Sequence, residues 1–312
     1  MPNYLSSRLR RLASALQRHF VIALLTGVVL GFVVPGLEHV PPPVMVVFLG
    51  VLIFVSAFRI TLGEMRRIDP VRTALFYLVR FPVLSALLWT ITGLVSPALA
   101  TGVLLLTLAP SGVASPGVAG IYRGNVSLTI VIVVVSSFLA PFMIPLVLEL
   151  FVARQVEIQT FAIFQTLVVS VIVPIVAHIP LRRFPVADDI RANDSLVVVP
   201  AIATLVMLVI AGQKEFIIAH AGEALGFFVT AIILFFGYYA FGWWIYPRSV
   251  HRDRIAYALS SGVNNTAIVI VLAYLYFSPE VVTFLVTSEL AWVGSMVAFK
   301  HLVQRLDHAT TG

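Results

Sequence analysis

Two ionisable residues stand in stretches that otherwise carry almost no charge. Arg80 lies within the apolar run 71–95 and Glu289 within the run 280–303. At 1.5 Å rise per helical residue, each is about 14–15 Å from one end of its run, near the middle of a hydrocarbon layer roughly 30 Å thick. A charge at that depth costs at least about 2.5–3.5 kcal/mol, so such a residue is either paired or set on the path of a solute, an ion or a proton. Three readings stay open: an Arg80–Glu289 ion pair that locks two helices, Arg80 as a fixed cation or anchor for a substrate carboxylate, and Glu289 as a proton-coupling carboxylate.

A second group supplies oxygens and breaks helices. Pro110, Gly112, Pro116 and Gly117 interrupt the run 98–121, with Ser111 and Ser115 among them, and Ser260, Ser261, Gly262, Asn264 and Asn265 interrupt the run 254–277, with Thr266 next to them. Ser111-Gly112-Val113 recurs as Ser261-Gly262-Val263 at an offset of 150, close to half the chain. Unwound backbone inside a membrane survives only where it lines a cavity or packs in protein. Paired interruptions in the two halves therefore point to a transport site.

Other chemistries find little footing. The absence of cysteine excludes disulfides, thiolate metal sites and a cysteine nucleophile. No hydrolase constellation, HExxH motif or phosphate-binding glycine loop occurs. The seven histidines sit at span ends or in tails, so no metal site and no cofactor is expected. The aromatic run Phe235, Phe236, Tyr238, Tyr239, Trp243 and Trp244 reads as lipid-facing or interfacial.

The elements that must hold these residues follow from composition. Of 312 residues, 60% are hydrophobic and 11% charged, and the mean hydropathy is +1.04. That excludes a soluble globular domain. Ten apolar stretches can be drawn at 20–36, 44–62, 71–95, 98–121, 126–151, 158–180, 195–213, 221–246, 254–277 and 280–303. Phe20–Pro35 resembles a signal peptide but has no convincing small-residue cleavage site, and it is taken as the first span. Residues 4–18 form a basic amphipathic stretch suited to the inner leaflet, with Leu5, Leu9, Leu12 and Leu16 against Arg8, Arg11 and Arg18.

Seventeen of the 20 Lys and Arg fall on one side of a ten-span layout, among them Arg8, Arg10, Arg11, Arg59, Arg66, Arg67, Arg123, Arg182, Arg248 and Arg305. Arg154 and Lys214 are the exceptions outside the spans. The positive-inside rule puts both termini in the cytoplasm. The net charge of +6 is then a topology signal rather than a nucleic-acid surface. Five spans per half is an odd number, so the halves must have opposite topology. The expected organisation is a cytoplasmic N-terminus at 1–19, five-helix repeats at 20–152 and 153–304, and a cytoplasmic tail at 305–312.

At the two interruptions the chain resembles the bile acid:sodium symporter family. The resemblance rests on Ala109-Pro110-Ser111-Gly112-Val113-Ala114-Ser115, on Tyr122-Arg123-Gly124-Asn125-Val126, on Ser136 through Pro141 with Pro145, and on Ser261-Gly262-Val263-Asn264-Asn265-Thr266. It implies an all-α polytopic membrane protein with ten transmembrane helices in two inverted repeats. Helices 1, 2, 6 and 7 would form a panel and helices 3–5 and 8–10 a core, with broken helices 4 and 9 crossing. It also implies a small organic anion bound between panel and core, two sodium ions behind the crossover, and a bacterial inner-membrane location.

The departures from the family pattern matter more. Ser260 stands where coupled members carry a glutamate that touches both ions. Pro116 replaces an asparagine, Val133 one of two hydroxyl residues in the fifth helix, and Arg80 a glutamine of the second sodium site. Ser115, Thr129 and Asn264 remain as oxygen donors, beside Ser261 and Val263. The expectation is a monomeric secondary transporter of small organic anions in the lipid bilayer, not an enzyme. It is not driven by sodium, because Arg80 acts as a tethered cation whose donors meet the ninth-helix break. Sodium-coupled symport at rebuilt sites and a passive facilitator are the competing expectations.

Overall fold

The computed structural model describes residues 2–59, 69–153 and 158–311, and of 2–7 and 304–311 the backbone alone. Arg66, Arg67 and Arg154 of the charge pattern lie outside the described residues, as does the Arg305 side chain. The fourteen helices among the described residues are α1 (Pro2–Arg18), α2 (Phe20–Val33), α3 (Pro43–Ala57), α4 (Pro70–Gly93), α5 (Pro97–Leu108), α6 (Ser115–Ile121) and α7 (Val126–Phe151), followed by α8 (Thr160–Arg183), α9 (Val186–Asn193), α10 (Ser195–Ala219), α11 (Ala221–Trp244), α12 (His251–Gly262), α13 (Thr266–Tyr276) and α14 (Pro279–Thr311).

Six of these are long and apolar enough to cross a membrane: α4, α7, α8, α10, α11 and α14 through Val303. Helices α3, α5 and α13 are apolar but shorter, and α1 meets α2 at a 70° bend. With apolar side chains all round, such helices belong in a bilayer, and the chain is an all-α polytopic membrane protein. The bend at His19 separates the arginine-rich α1, whose Leu9 and Leu12 are exposed, from the uncharged α2.

Small residues set the closest approaches. Gly27 and Gly31, one turn apart on α2, lie against α10 so tightly that a Cβ would come within 2.4 Å of the Ala203 carbonyl oxygen and 2.6 Å of that of Met207. This is the small-residue packing by which helices associate in lipid. Helix α10 also packs on α3, and α3 on α8. Elsewhere α11 lies between α12 and α14, α4 along α5, α14 against α5 and α13, and α7 against α6 and α12. The contacts of α7 with α8, α10 with α14 and α13 with α3 join the two sets.

Helix α4 is not regular throughout. Pro82 lacks the N–H that would bond back one turn, and Val79–Val83 widens into a π-helical turn that carries Arg80. The aromatic run of α11 requires a correction. Phe235, Tyr238, Tyr239 and Trp243 are buried, and only Phe236 and Trp244 are exposed. The cause is packing on two sides: α11 lies between two helices, so its rings meet protein such as Phe299, on which Tyr239 stacks at 4.5 Å.

Candidate functional site

The two interruptions form one crossing. Helix α5 stops at Leu108 because Pro110 cannot continue it, and residues 109–114 run without helix before Ser115 opens α6. Pro116 and Gly117 fall inside α6, where proline near a helix start costs little. Helix α12 runs through Ser260, Ser261 and Gly262, and only 263–265 are unwound before Thr266 opens α13. The non-helical segments pair antiparallel: the Gly112 N–H donates to Val263 O at 2.7 Å and the Asn265 N–H to Pro110 O at 2.8 Å. The Ser111 hydroxyl donates to Ser260 O, and the Ser111 N–H to the Ser136 hydroxyl at 3.0 Å. Backbone groups freed by the breaks are thus satisfied inside the protein.

Beside this crossing lies Arg80, fully buried. Its Nη1 donates to Thr107 O at 2.9 Å, and its Nη2 to Ser261 O at 2.6 Å and Asn264 Oδ1 at 3.2 Å. Its Nε reaches the Ser261 hydroxyl at 2.7 Å and Ser261 O at 3.2 Å. Thr107 and Ser261 lie in the last turns of α5 and α12, where helices expose unpaired carbonyls and the negative ends of their dipoles. One guanidinium therefore meets two helix C-termini. It lies 4.2 Å from the Tyr238 ring centre, and the Tyr238 hydroxyl is 2.7 Å from that of Thr107. Thr107 and Tyr238 were not singled out from sequence, although the loss of a bonding partner for carbonyls just before Pro110 was a usable signal for Thr107.

The ion pair between Arg80 and Glu289 is not formed. Among the described residues Arg80 makes no salt bridge, and Glu289 accepts a hydrogen bond from the Thr266 hydroxyl. The guanidinium is held by uncharged oxygens, and the carboxyl bonds to a different residue. Arg80 is not among the residues that line the cavity of this region.

That cavity has a volume of about 310 Å³. Its inner end is made by Gly112, Val263, Asn264, Asn265, Thr266 and Glu289, and its walls by apolar residues of α3 and α10 such as Leu52, Val199, Ile202 and Val206. At its other end stand Gln17, Phe20, Arg59 and Ser195, all at helix ends. Arg59 is bound by both oxygens of the buried Asp194, with Nη2–Oδ1 at 2.7 Å. Sequence offered no way to choose Arg59, Ser56 or the α10 wall, since apolar residues facing lipid and facing a cavity are alike.

The remaining candidates are near the crossing but outside the cavity lining. Pro110, Ser111, Ser115, Pro116, Gly262, Ser260 and Thr129 are not among its walls. The Ser115 hydroxyl donates to Gly112 O, and that of Thr129 to Asn125 O at 2.9 Å. The buried Ser260 hydroxyl has no partner among the described residues. Asn125 acts at a corner: its Oδ1 caps α7 at Leu128 N, 3.1 Å, while its Nδ2 donates to Asp253 Oδ1 at 2.7 Å. The preceding Arg123 has φ of 57°, and a Cβ on Gly124 would lie 2.8 Å from Ile255. The Arg-Gly-Asn run thus fits the α6–α7 corner against the start of α12.

Comparison with known proteins agrees with this architecture. The profile of the Sodium Bile acid symporter family matches residues 3–220. A protein of Bacillus subtilis described as an uncharacterized sodium-dependent transporter, YocS, is 24% identical over 291 residues, covering 87% of this chain and 86% of the relative. A second Bacillus subtilis protein, the uncharacterized YbaS, is 26% identical over 220 residues, 68% of this chain and 71% of its own. A rice protein described as a probable chloroplastic sodium/metabolite cotransporter, BASS2, is 23% identical over 289 residues, 89% of this chain and 68% of its own.

Proposed function

Because the chain belongs to the Sodium Bile acid symporter family, we propose that it is a ten-span secondary transporter of small organic anions that works without sodium. Two five-helix repeats of opposite topology supply a panel, α2, α3, α8 and α10, and a core containing both broken helices. Movement of core against panel exposes the cavity alternately to the two sides. The packing of α2, α3, α8 and α10 with one another, and the cavity between α10 and the crossing, support this reading. With the basic connections in the cytoplasm, the Arg59 end of the cavity faces the cytoplasm.

The observation that carries sodium independence is the Arg80 guanidinium on the carbonyls of Thr107 and Ser261. Two helix C-termini meeting in a low-dielectric interior make a cation site, and here the cation is covalently attached. A sodium ion about 4 Å from that guanidinium would meet roughly 4 kcal/mol of repulsion at an effective dielectric of 20. Ser260 offers a neutral hydroxyl where coupled members of the family bring a carboxylate. The test is a thermal-shift screen of organic acids followed by uptake into proteoliposomes, each with sodium and with choline. Equal responses support the reading, and a strong sodium requirement overturns it.

The descriptions of two relatives as sodium-dependent and sodium/metabolite transporters favour a second reading, sodium-coupled symport at rebuilt sites. Uptake of radioactive sodium driven by the organic acid separates the two.

A further inference from the structure

Among the described residues, the inner end of the cavity holds one carboxyl and no cation. Glu289 is 6% exposed, lines the cavity and accepts a hydrogen bond from the Thr266 hydroxyl. Also in its lining, the Asn265 amide nitrogen at the same end and the Ser56 hydroxyl of α3 are buried without partners among the described residues. An organic anion reaching these donors would lie beside Glu289. An ionised carboxylate has its charge hydrated only while the cavity is open, and closing a dry cavity around an unpaired charge is costly.

The surrounding groups do not supply the missing charge. Across the cavity, Arg59 of the α3 end is bound by Asp194 at the start of α10. Arg80 of α4 is spent on Thr107, Ser261 and Asn264. On the helices packed against α14, Tyr239 of α11 stacks on Phe299, Tyr257 of α12 meets Phe76 at a tilt, Tyr274 of α13 lies against Gly212, and Lys214 of α10 pairs with Glu38. Helix α5 carries no titratable side chain.

We infer that Glu289 is a proton-binding site inside the substrate cavity, and that the cavity closes only when this carboxyl is neutral. The inference rests on the organic-anion reading for its use: a proton taken up by Glu289 from water on the open side, and released to water on the other, removes the like charge beside the anion while the cavity is closed. Thr266 holds the carboxyl in place, and Asn265 and Ser56 offer their protons to the anion.

The natural absence of cysteine allows a test that needs no substrate. A single cysteine at Ile202→Cys, on the cavity wall, is labelled in proteoliposomes with a membrane-impermeant maleimide over a range of pH. Its rate is referred to that of Val250→Cys, at an exposed site, which corrects for thiol ionisation. The relative rate should fall severalfold as the pH is lowered and the cavity closes. With Glu289→Gln added, it should stay at the low, acid-like value at every pH. The same pH dependence with and without Glu289→Gln, or none in either, overturns the inference. Infrared titration of the protein in nanodiscs gives a second reading: a pH-dependent carboxylic-acid carbonyl band that Glu289→Gln removes. A spectrum unchanged by the substitution contradicts it. A screen that finds no transported organic anion would overturn the function proposed above while leaving the labelling result intact.

Discussion

Arg80 grips Ser261 by both its backbone and its side chain, with Nη2 2.6 Å from the carbonyl oxygen and Nε 2.7 Å from the hydroxyl. Because a third donor reaches Thr107 O at 2.9 Å, one side chain ties α4 to the ends of both half-helices. Arg80→Ala would leave at least two buried carbonyls with fewer partners, each worth about 1–3 kcal/mol. A clear drop in thermal midpoint in detergent is expected. Arg80→Lys, a point charge without the planar fork, should lie between wild type and alanine.

If the guanidinium replaces an ion, a mobile ion can be brought back. The double variant Arg80→Gln, Ser260→Glu restores the side chains of the family pattern at two of the four altered positions. It should gain thermal stabilisation by sodium over choline that wild type lacks. Lack of any sodium effect in a folded double variant would count against the site assignment.

The close contact of α2 with α10 makes Gly27 sensitive. Gly27→Leu cannot be accommodated where even a Cβ would be 2.4 Å from the Ala203 carbonyl oxygen, so the helices must separate. A loss of about 1–3 kcal/mol is expected from overpacking, read as a lower thermal midpoint, whereas Gly226→Leu, with open space around it, should have little effect.

Asn125 caps α7 and holds Asp253 at the start of α12. Asn125→Ala should cost about 1–2 kcal/mol as a lost cap and loosen that corner. Asn125→Asp keeps the cap acceptor but faces Asp253 with like charge, so it should be destabilised as well, more at neutral than at acidic pH.

The location of the two helix breaks was legible because proline, glycine and asparagine act locally: Pro110 ends one helix, and the break at 263–265 follows Gly262 and holds Asn264 and Asn265. Arg80 and Glu289 were legible because charge in apolar runs is scarce. Their partners were not. Whether Arg80 met Glu289 or the carbonyls of Thr107 and Ser261 depended on which side of the crossing each helix lay, and no local pattern encodes that. Tyr238 was hidden in a run that reads as lipid-facing, because burial between α12 and α14 leaves no mark on residue type. The same blindness concealed the α10 wall of the cavity and the Arg59–Asp194 pair at its other end.

The central claim is that a tethered arginine does the work of a coupling ion. Its most direct test is uptake, into proteoliposomes of the wild-type protein, of an organic acid selected by thermal shift, with all sodium replaced by choline. Undiminished uptake is the result the account predicts; uptake that stops without sodium and returns when sodium is restored would contradict it.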